Sequence, residues 1–512
     1  MRLPSGYRPG AFRSFGDGLN LRDGADAVKE SEAVDLLNVT FTERGAVAQR
    51  AGYGKFTSVA GGARYDSMSP FYTASGTKQL VLGRGNNVQA LNTSGASVAT
   101  VAAGSSPHFF ARVGTPAAEY LYASNGVDTI RRWDGAAFSS PAGMPTAFYL
   151  TVDPKGNRLV AARTATNPSR VSFSDPGAPE TWGANNYVDL TPGDGEPIMG
   201  ITTWREYVIV FKETKFFIFH NNSTDTTGNP VFNYIPSVGA GLASSRALAA
   251  SRDAVYFLSR NGVYRTTGRD AQKVSDIIEP FFLGNLSPFF TSSQLSHASI
   301  TNSAMTFHED RLYLAVTTGA SAYNDRMLVF DPEHDWWSLY NIPASSLASF
   351  RVGSQEELMF SYATGTNNVG RHSTTYTADD ATAISSHWRS GWYDYEDTRV
   401  KTIRESKLWG KGNLVLSLYS DFSDIASATV LDIGTTADAW GDGAGPDTWG
   451  SGASDTDLWS GATSLRPALT RTAQRGTVFS TKFENTQLNK TWIVHRLAHH
   501  IREQRVPTTT KA

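Results

Sequence analysis

Three tryptophans stand at nearly regular spacing in a stretch that otherwise contains little but Gly, Ser, Ala and Asp. The stretch runs from Asp438 to Gly461, DAWGDGAGPDTWGSGASDTDLWSG, and its tryptophans are Trp440, Trp449 and Trp459. Its aspartates offer oxygen ligands for calcium, but their spacing matches no EF-hand loop. The indole rings suit stacking on sugars, a contact with another polypeptide, or a loop folded back on its own domain. We prefer the polypeptide contact, because three tryptophans left in water would promote aggregation.

Histidines near the end of the chain come closest to a metal-binding pattern. His495, His499 and His500 lie within six residues, but Arg496 follows His495 where a zincin helix requires a glutamate. A strand over this segment places His495 and His499 on one face but well apart. The pattern therefore favours solvated or interface histidines, and we predict no metal site.

A second segment resembles a glycosidase motif without matching it. SFSDPGAPETW (Ser172–Trp182) approaches the Asp-box of sialidases, S-x-D-x-G-x-x-W, but Asp175 directly follows Ser174 and Trp182 lies two residues too far along. The chain also lacks a G-x-S-x-G elbow, a Walker loop and an H-E-x-x-H motif. We therefore predict that the protein is not an enzyme and holds no cofactor.

The composition indicates an ordinary globular protein. The chain has 512 residues, of which 40% are hydrophobic and 18% charged; the net charge is −2 and there is no cysteine. Disulfides and cysteine-ligated metals are thus excluded. The first residues, MRLPSGYRPGAFRSF, lack the apolar core of a signal peptide, and no apolar run has the length that spans a bilayer. We expect synthesis in a cytoplasm and no insertion into a membrane.

One charged segment stands out against this neutral background. Between Asn489 and Ala512 the only acidic residue is Glu503, and five residues are basic: Lys490, Arg496, Arg502, Arg505 and Lys511. Such a segment suits either phosphate contact or a solvated strand beside an acidic neighbour.

The elements that position these residues are predicted to be β-strands arranged in repeats. Apolar segments recur near Leu80, Tyr120, Leu159, Tyr207, Val255, Leu312 and Leu358, at intervals of about 40–57 residues. This period, with Asn-Gly turns at Asn125-Gly126 and Asn261-Gly262, is typical of propeller blades, and a large β-sandwich is the alternative. We predict six or seven blades over residues 57–378.

The regions on either side of the predicted propeller differ from it in sequence pattern. Residues 1–56 are predicted to form an N-terminal arm, with a short helix over Lys29–Val39 and a strand within Gly45–Phe56 that closes the last blade. We assign that closure to Arg50, Gly52 and Tyr53. Residues 379–512 alternate as longer antiparallel strands and predict a β-sandwich-like domain, interrupted by the Trp/Gly-rich loop at 438–461. The fold class is therefore all-β.

The N-terminal residues also carry a family resemblance. The segment Phe15–Phe56 combines a Gly-x-Asn start, Glu-Ala-x-x-Leu-x-Asn, an Arg-Gly turn and Arg-x-Gly-Tyr; the matching residues are Gly18, Asn20, Glu32, Ala33, Leu36, Asn38, Arg44, Gly45, Arg50, Gly52 and Tyr53. Together with Ser172–Trp182 and Gly241–Arg265, it resembles the β-propeller tail proteins of short-tailed phages, known as nozzle, tail hub or packaged-DNA stabilisation proteins. Ala51 departs from the proline often found there.

The resemblance implies a structural virion protein. Such a protein forms a ring, commonly a homohexamer, below the portal and adaptor proteins, and it lines and closes the DNA exit channel. Its expected partners are copies of itself, the portal and adaptor, tail fibres or spikes, and passing double-stranded DNA that is not read by sequence. It is assembled in the host cytoplasm and resides in the tail of the virion. Two alternatives remain open: a propeller that binds or cleaves host polysaccharide, and a head completion or tail-tip adaptor of another phage type.

Overall fold

The protein is almost entirely β-structure. The computed structural model describes residues 7–57, 64–104, 107–115, 118–224, 230–364, 368–433 and 467–503. Within these ranges the strands form seven antiparallel four-stranded sheets and one larger sheet. The first strands of successive four-stranded sheets contact each other, so the seven sheets are the blades of a propeller. The predicted propeller is confirmed, and the number of blades is seven.

Within each blade the strands follow the chain outward from the axis, and only the last blade takes its outer strand from elsewhere. The bounds, blade by blade and from the innermost strand outward, are Tyr65–Tyr72, Lys78–Arg84, Asn87–Asn92 and Ser97–Ala102; Phe109–Thr115, Ala118–Ser124, Arg131–Trp133 and Phe138–Ser139; Tyr149–Asp153, Arg158–Ala162, Arg170–Phe173 and Tyr187–Asp189; Gly200–Trp204, Tyr207–Phe211, Lys215–Thr224 and Pro230–Val238; Leu248–Ala250, Val255–Ser259, Gly262–Thr266 and Ala271–Lys273; Ala304–His308, Arg311–Val316, Arg326–Asp331 and Trp336–Tyr340; and Ala344–Val352, Gln355–Tyr362, Val369–His372 and Tyr53–Lys55.

In the described ranges, helical structure is confined to the connection between blades five and six. It comprises two short 3₁₀ turns, Asp276–Ile278 and His297–Asn302, and the α-helix Glu279–Leu283, which ends at the left-handed Gly284. Among the described residues, therefore, no helix has the length and apolar character needed to cross a membrane.

The predicted helix over Lys29–Val39 is wrong. The segment instead forms the strands Glu32–Leu37 and Val39–Phe41, separated by Asn38 in the left-handed region at φ 55°. Five consecutive residues from Glu32 are buried, because the strand lies against the outer strand of blade six, Trp336–Tyr340. A strand covered on both faces has no alternating pattern, so the helix-like spacing of its apolar residues was misleading.

The larger sheet combines strands from both ends of the chain. Its main path runs Gly18–Leu19, Glu32–Leu37, Ser386–Ser390, Phe479–Asn485, Lys401–Ser420, Trp492–Glu503, Val47–Gln49 and Val39–Phe41. Tyr7–Phe12 pairs with Trp492–Glu503, whereas Ser427–Ile433 and Pro467–Gly476 pair with Lys401–Ser420. The segment Gly45–Phe56 therefore divides, with one strand in this sheet and one in blade seven.

The strand Lys401–Ser420, called here the long strand, bends in its middle. Gly412 has φ +94°, and a Cβ there would lie 1.9 Å from the Thr491 carbonyl oxygen. Ile403 from the first half and Leu418 from the second meet in one small apolar cluster. The two halves therefore pack face to face, as in a sandwich.

Candidate functional site

An N-terminal strand completes the propeller. Tyr53–Lys55 pairs with Val369–His372 as the outermost strand of blade seven, with Tyr53 opposite His372. The same segment enters this blade directly from the larger sheet, where Val47–Gln49 pairs with Trp492–Glu503. The few residues between the two strands, here called the joint, connect the propeller to the larger sheet.

Arg50 occupies the centre of the joint and is 1% exposed. Its guanidinium donates to both carboxylate oxygens of Asp379, from Nη1 at 2.8 Å and from Nη2 at 2.6 Å. Further donations go to Asn38 Oδ1 at 2.8 Å, Asn341 Oδ1 at 3.0 Å and the Ala51 carbonyl at 2.8 Å. All five guanidinium hydrogens are thereby used, which compensates for burying the charge.

Gly52 in the joint and Tyr53, the first residue of the following strand, make further contacts with the propeller side. Gly52 N donates to the Tyr376 carbonyl at 2.7 Å, and a Cβ on Gly52 would lie 2.1 Å from the Ala378 carbonyl oxygen. Only glycine allows this approach. The Tyr53 ring packs edge-on against Phe360 at 5.0 Å, and burial, reinforced by the nearby Asp379 carboxylate, raises its pKa to about 12.

Other residues that carry the family resemblance lie around the joint. The Asn38 amide donates to the Ser385 carbonyl at 2.6 Å and accepts from Asn341 N at 3.0 Å. It therefore contacts both modules, the larger sheet just before Ser386–Ser390 and the propeller just after Trp336–Tyr340. Asn20 donates to Glu32 Oε2 at 2.8 Å, in the buried layer between the larger sheet and blade six. A Cβ at Gly18 would lie 2.8 Å from the Trp337 backbone.

A second buried polar contact links the larger sheet to the propeller. Asp35 is 1% exposed, accepts from His387 Nε2 at 3.0 Å, and accepts from the Thr291 hydroxyl at 2.9 Å. Thr291 lies in the connection between blades five and six. Sequence reasoning missed Asp35, Asp379 and His387, because their partners are hundreds of residues away and no local pattern indicates them.

An arginine crosses the propeller near its axis. Arg246, just before the inner strand of blade five, donates to the carbonyls of Asp66 at 2.9 Å, Ser345 at 3.1 Å and Asn302 at 2.9 Å. These acceptors belong to the start of blade one, the start of blade seven and the approach to blade six. Its side chain is only 10% exposed, so one guanidinium binds several blades together across the axis.

The tryptophans and histidines that the sequence indicates as possible contact or metal-binding residues lie in different parts of the chain. Trp440, Trp449 and Trp459 lie outside the described residues. The expectation of a solvated or interface histidine is wrong for His499, which is buried between the Ser406 and Thr481 hydroxyls at 2.7 and 3.1 Å; burial lowers its pKa to about 3. In the described part of the chain, no three His, Asp or Glu side chains gather in a way that could hold a metal ion.

The Asp-box-like segment forms a turn in blade three. Asp175 N donates to the Thr181 carbonyl at 2.8 Å, and the Asp175 carboxylate accepts from the Asn186 amide at 2.6 Å. Trp182 packs against the core between blades two and three. These contacts account for the segment as a turn-stabilising element.

Comparisons with known proteins give only distant structural similarities. No protein-family model matches the sequence, and no curated protein matches it. Among solved structures, the RRP9 WD40 repeats are 10% identical, with a TM-score of 0.40, and the match covers 64% of this chain and 99% of that one. An extracellular domain from B. thetaiotaomicron is 10% identical with a TM-score of 0.39, covering 81% and 59% of the two chains. Kluyveromyces lactis Hsv2 is 7% identical with a TM-score of 0.34, covering 64% and 94%.

Proposed function

We propose that this chain is a structural subunit of a phage tail that makes and breaks no covalent bond. Six copies of the chain assemble into a ring. The ring lines and closes the DNA exit channel below the portal and adaptor proteins. The ring provides the attachment for tail fibres or spikes and contacts passing double-stranded DNA without reading its sequence.

The observation that carries the proposal is the buried joint. Residues that carry the resemblance to nozzle proteins, among them Asn38, Arg50 and Gly52, are the ones that connect the propeller to the larger sheet. Asp35 and its partners connect the same two modules at a second point. One apolar core also extends from blades five to seven into the larger sheet. A body of two modules locked in one orientation suits a ring, in which every copy must present the same two faces.

The mass and shape of the purified assembly test this proposal. We expect native mass spectrometry to give a single homo-oligomer of six copies and electron microscopy to show a closed ring with a central channel. A chain that remains monomeric over all accessible concentrations, or a monomer that cleaves host polysaccharide, would overturn the proposal.

The predicted contact role of the tryptophans has its own test. Changing Trp440, Trp449 and Trp459 together to Ser should weaken ring assembly and leave the melting temperature of the subunit unchanged, because tryptophan dominates many protein interfaces. A matched control changes three exposed apolar residues elsewhere, Val127, Leu283 and Ile425, to Ser. If both triple variants assemble like the unmodified chain, the contact interpretation is wrong.

A further inference from the structure

The outer face of the larger sheet carries an unusual concentration of basic side chains. Pro467–Gly476 and Trp492–Glu503 both pair with the first half of the long strand. In antiparallel pairing, residues directly opposite each other point to the same face. Thr402 stands between Arg475 and Arg502, and Trp409 stands opposite Arg496, so these side chains share a face.

Burial identifies this face as the one turned to solvent. Along the long strand, Ile403, Ser406 and Leu408 are buried, whereas Arg404 and Lys411 are exposed. The neighbouring strands alternate in the same register. We call this outward surface of the three strands the basic face.

Most of the described charged side chains on the basic face are basic, and its one described carboxylate, that of Glu405, stands opposite Arg471. Three exposed arginines, one from each strand, form its core: Arg404, Arg471 and Arg496. Lys407, Lys411, Arg475 and Arg502 surround them on the same face. Among the described side chains of the three strands the single carboxylate on this face is that of Glu405, which lies 3.3 Å from His500 Nδ1.

Two further contacts describe the surroundings of these cations. Burial lowers the pKa of His495, and the nearby cations Lys411 and Arg44 lower it further, so a proton placed there meets a positive field. The Arg496 guanidinium lies over the Trp409 ring, 5.0 Å from its centroid, which holds this cation in a fixed position above the sheet.

We propose that the basic face binds the phosphate backbone of double-stranded DNA. From Thr402 to Lys411 the face extends about 30 Å, the length of roughly nine base pairs. Several cations at spacings of about 5 Å across the strands and about 7 Å along them contact phosphates without any geometry for reading bases. The choice of DNA over an acidic protein surface rests on the proposed function.

Binding of a labelled duplex of about 20 base pairs to the full-length protein, followed by fluorescence anisotropy, tests the proposal. If about four cations neutralise phosphates, the affinity should fall by roughly 100-fold between about 50 and 200 mM salt. Reversing the core charges with Arg404→Glu, Arg471→Glu and Arg496→Glu should weaken binding by more than about 10-fold at low salt. A matched variant, Arg205→Glu, Arg252→Glu and Arg269→Glu, makes the same change in net charge on exposed propeller turns and should bind within about 3-fold of the unmodified chain.

Each outcome has a definite meaning once circular dichroism shows that both variants are folded. Absence of DNA binding by the unmodified chain, or equal losses in the two variants, overturns the proposal. A face variant that loses ring assembly but retains DNA binding assigns the basic face to a protein contact, which also overturns it. Rings without DNA binding contradict this inference but leave the proposed function intact, whereas DNA binding by a permanent monomer contradicts the proposed function and leaves the basic face intact.

Discussion

Replacing Arg50 tests whether the joint holds the two modules together. The substitution Arg50→Met keeps much of the length and apolar volume of the side chain and removes the guanidinium. It leaves the Asp379 carboxylate buried without its cation and deprives the Asn38 and Asn341 amide oxygens of a donor.

The expected loss is large because the pair is deeply buried. The Arg50 side chain is 1% exposed and that of Asp379 is 9% exposed. Removing one partner of such a pair typically costs about 3–5 kcal/mol, since the remaining charge has no compensation. At roughly 2 °C per kcal/mol for a long chain, the melting temperature should fall by about 6–10 °C.

Thermal melting followed by near-ultraviolet circular dichroism measures this loss. Arg252→Met, at an exposed propeller turn, is the matched control and should change the melting temperature by less than about 1 °C. The double variant Arg50→Met with Asp379→Asn should lose less than the sum of the two single variants, because it leaves no unpaired buried charge. Additive losses, or an Arg50→Met variant as stable as the control, would refute the argument.

Three further predictions address other buried positions. Burial lowers the pKa of His108 to about 4, below its unfolded value of about 6.5, so its contribution to stability is complete above about pH 6.5 and declines toward pH 4, by about 2 kcal/mol at pH 5. His108→Phe should therefore flatten the pH dependence of the melting temperature over that range, and an unchanged slope would contradict this. Gly52→Ala should prevent soluble expression because its Cβ would lie 2.1 Å from the Ala378 carbonyl oxygen, whereas Gly193→Ala, with no atom within 4 Å of its Cβ, should express normally. Arg246→Met leaves three backbone carbonyls without their donor and should lower the unfolding free energy by about 3 kcal/mol in urea titration; a loss below about 1 kcal/mol would show that the axial contacts contribute little.

The propeller could be predicted from the sequence because its signals are local and repeated. At Asn261-Gly262 a hairpin occurs where the dipeptide indicates it: Asn261 lies in the two-residue loop after Val255–Ser259, and Gly262, at φ 147°, begins the next strand opposite Ser259. The blade count stayed open between six and seven because the outer strand of the last blade comes from the N-terminal arm, more than 300 residues before its partner.

The contacts around the joint could not be predicted, for a different physical reason. Arg50 and Asp379 are 329 residues apart, and neither has a sequence neighbourhood that indicates a buried ion pair. The error over Lys29–Val39 has the same origin. Burial on both faces of a strand is decided by the elements that pack on it, which in this case are blade six and the strand Ser386–Ser390.

In the proposed ring, the basic face and the small net charge of the chain would together allow DNA to be held weakly and still slide. A conduit must let DNA slide, so each contact has to be weak; phosphate contacts without base reading typically have dissociation constants of only about 10⁻⁴–10⁻⁶ M at physiological salt. In a ring, however, several copies present the same face to one duplex, and linked weak contacts raise the overall affinity by about 10²–10⁴ without strengthening any single one. The ring would then retain a DNA end while every individual contact still exchanges rapidly. A chain whose positive charge was spread evenly would not combine these properties, because it would attract nucleic acid on surfaces that must instead contact the neighbouring subunits.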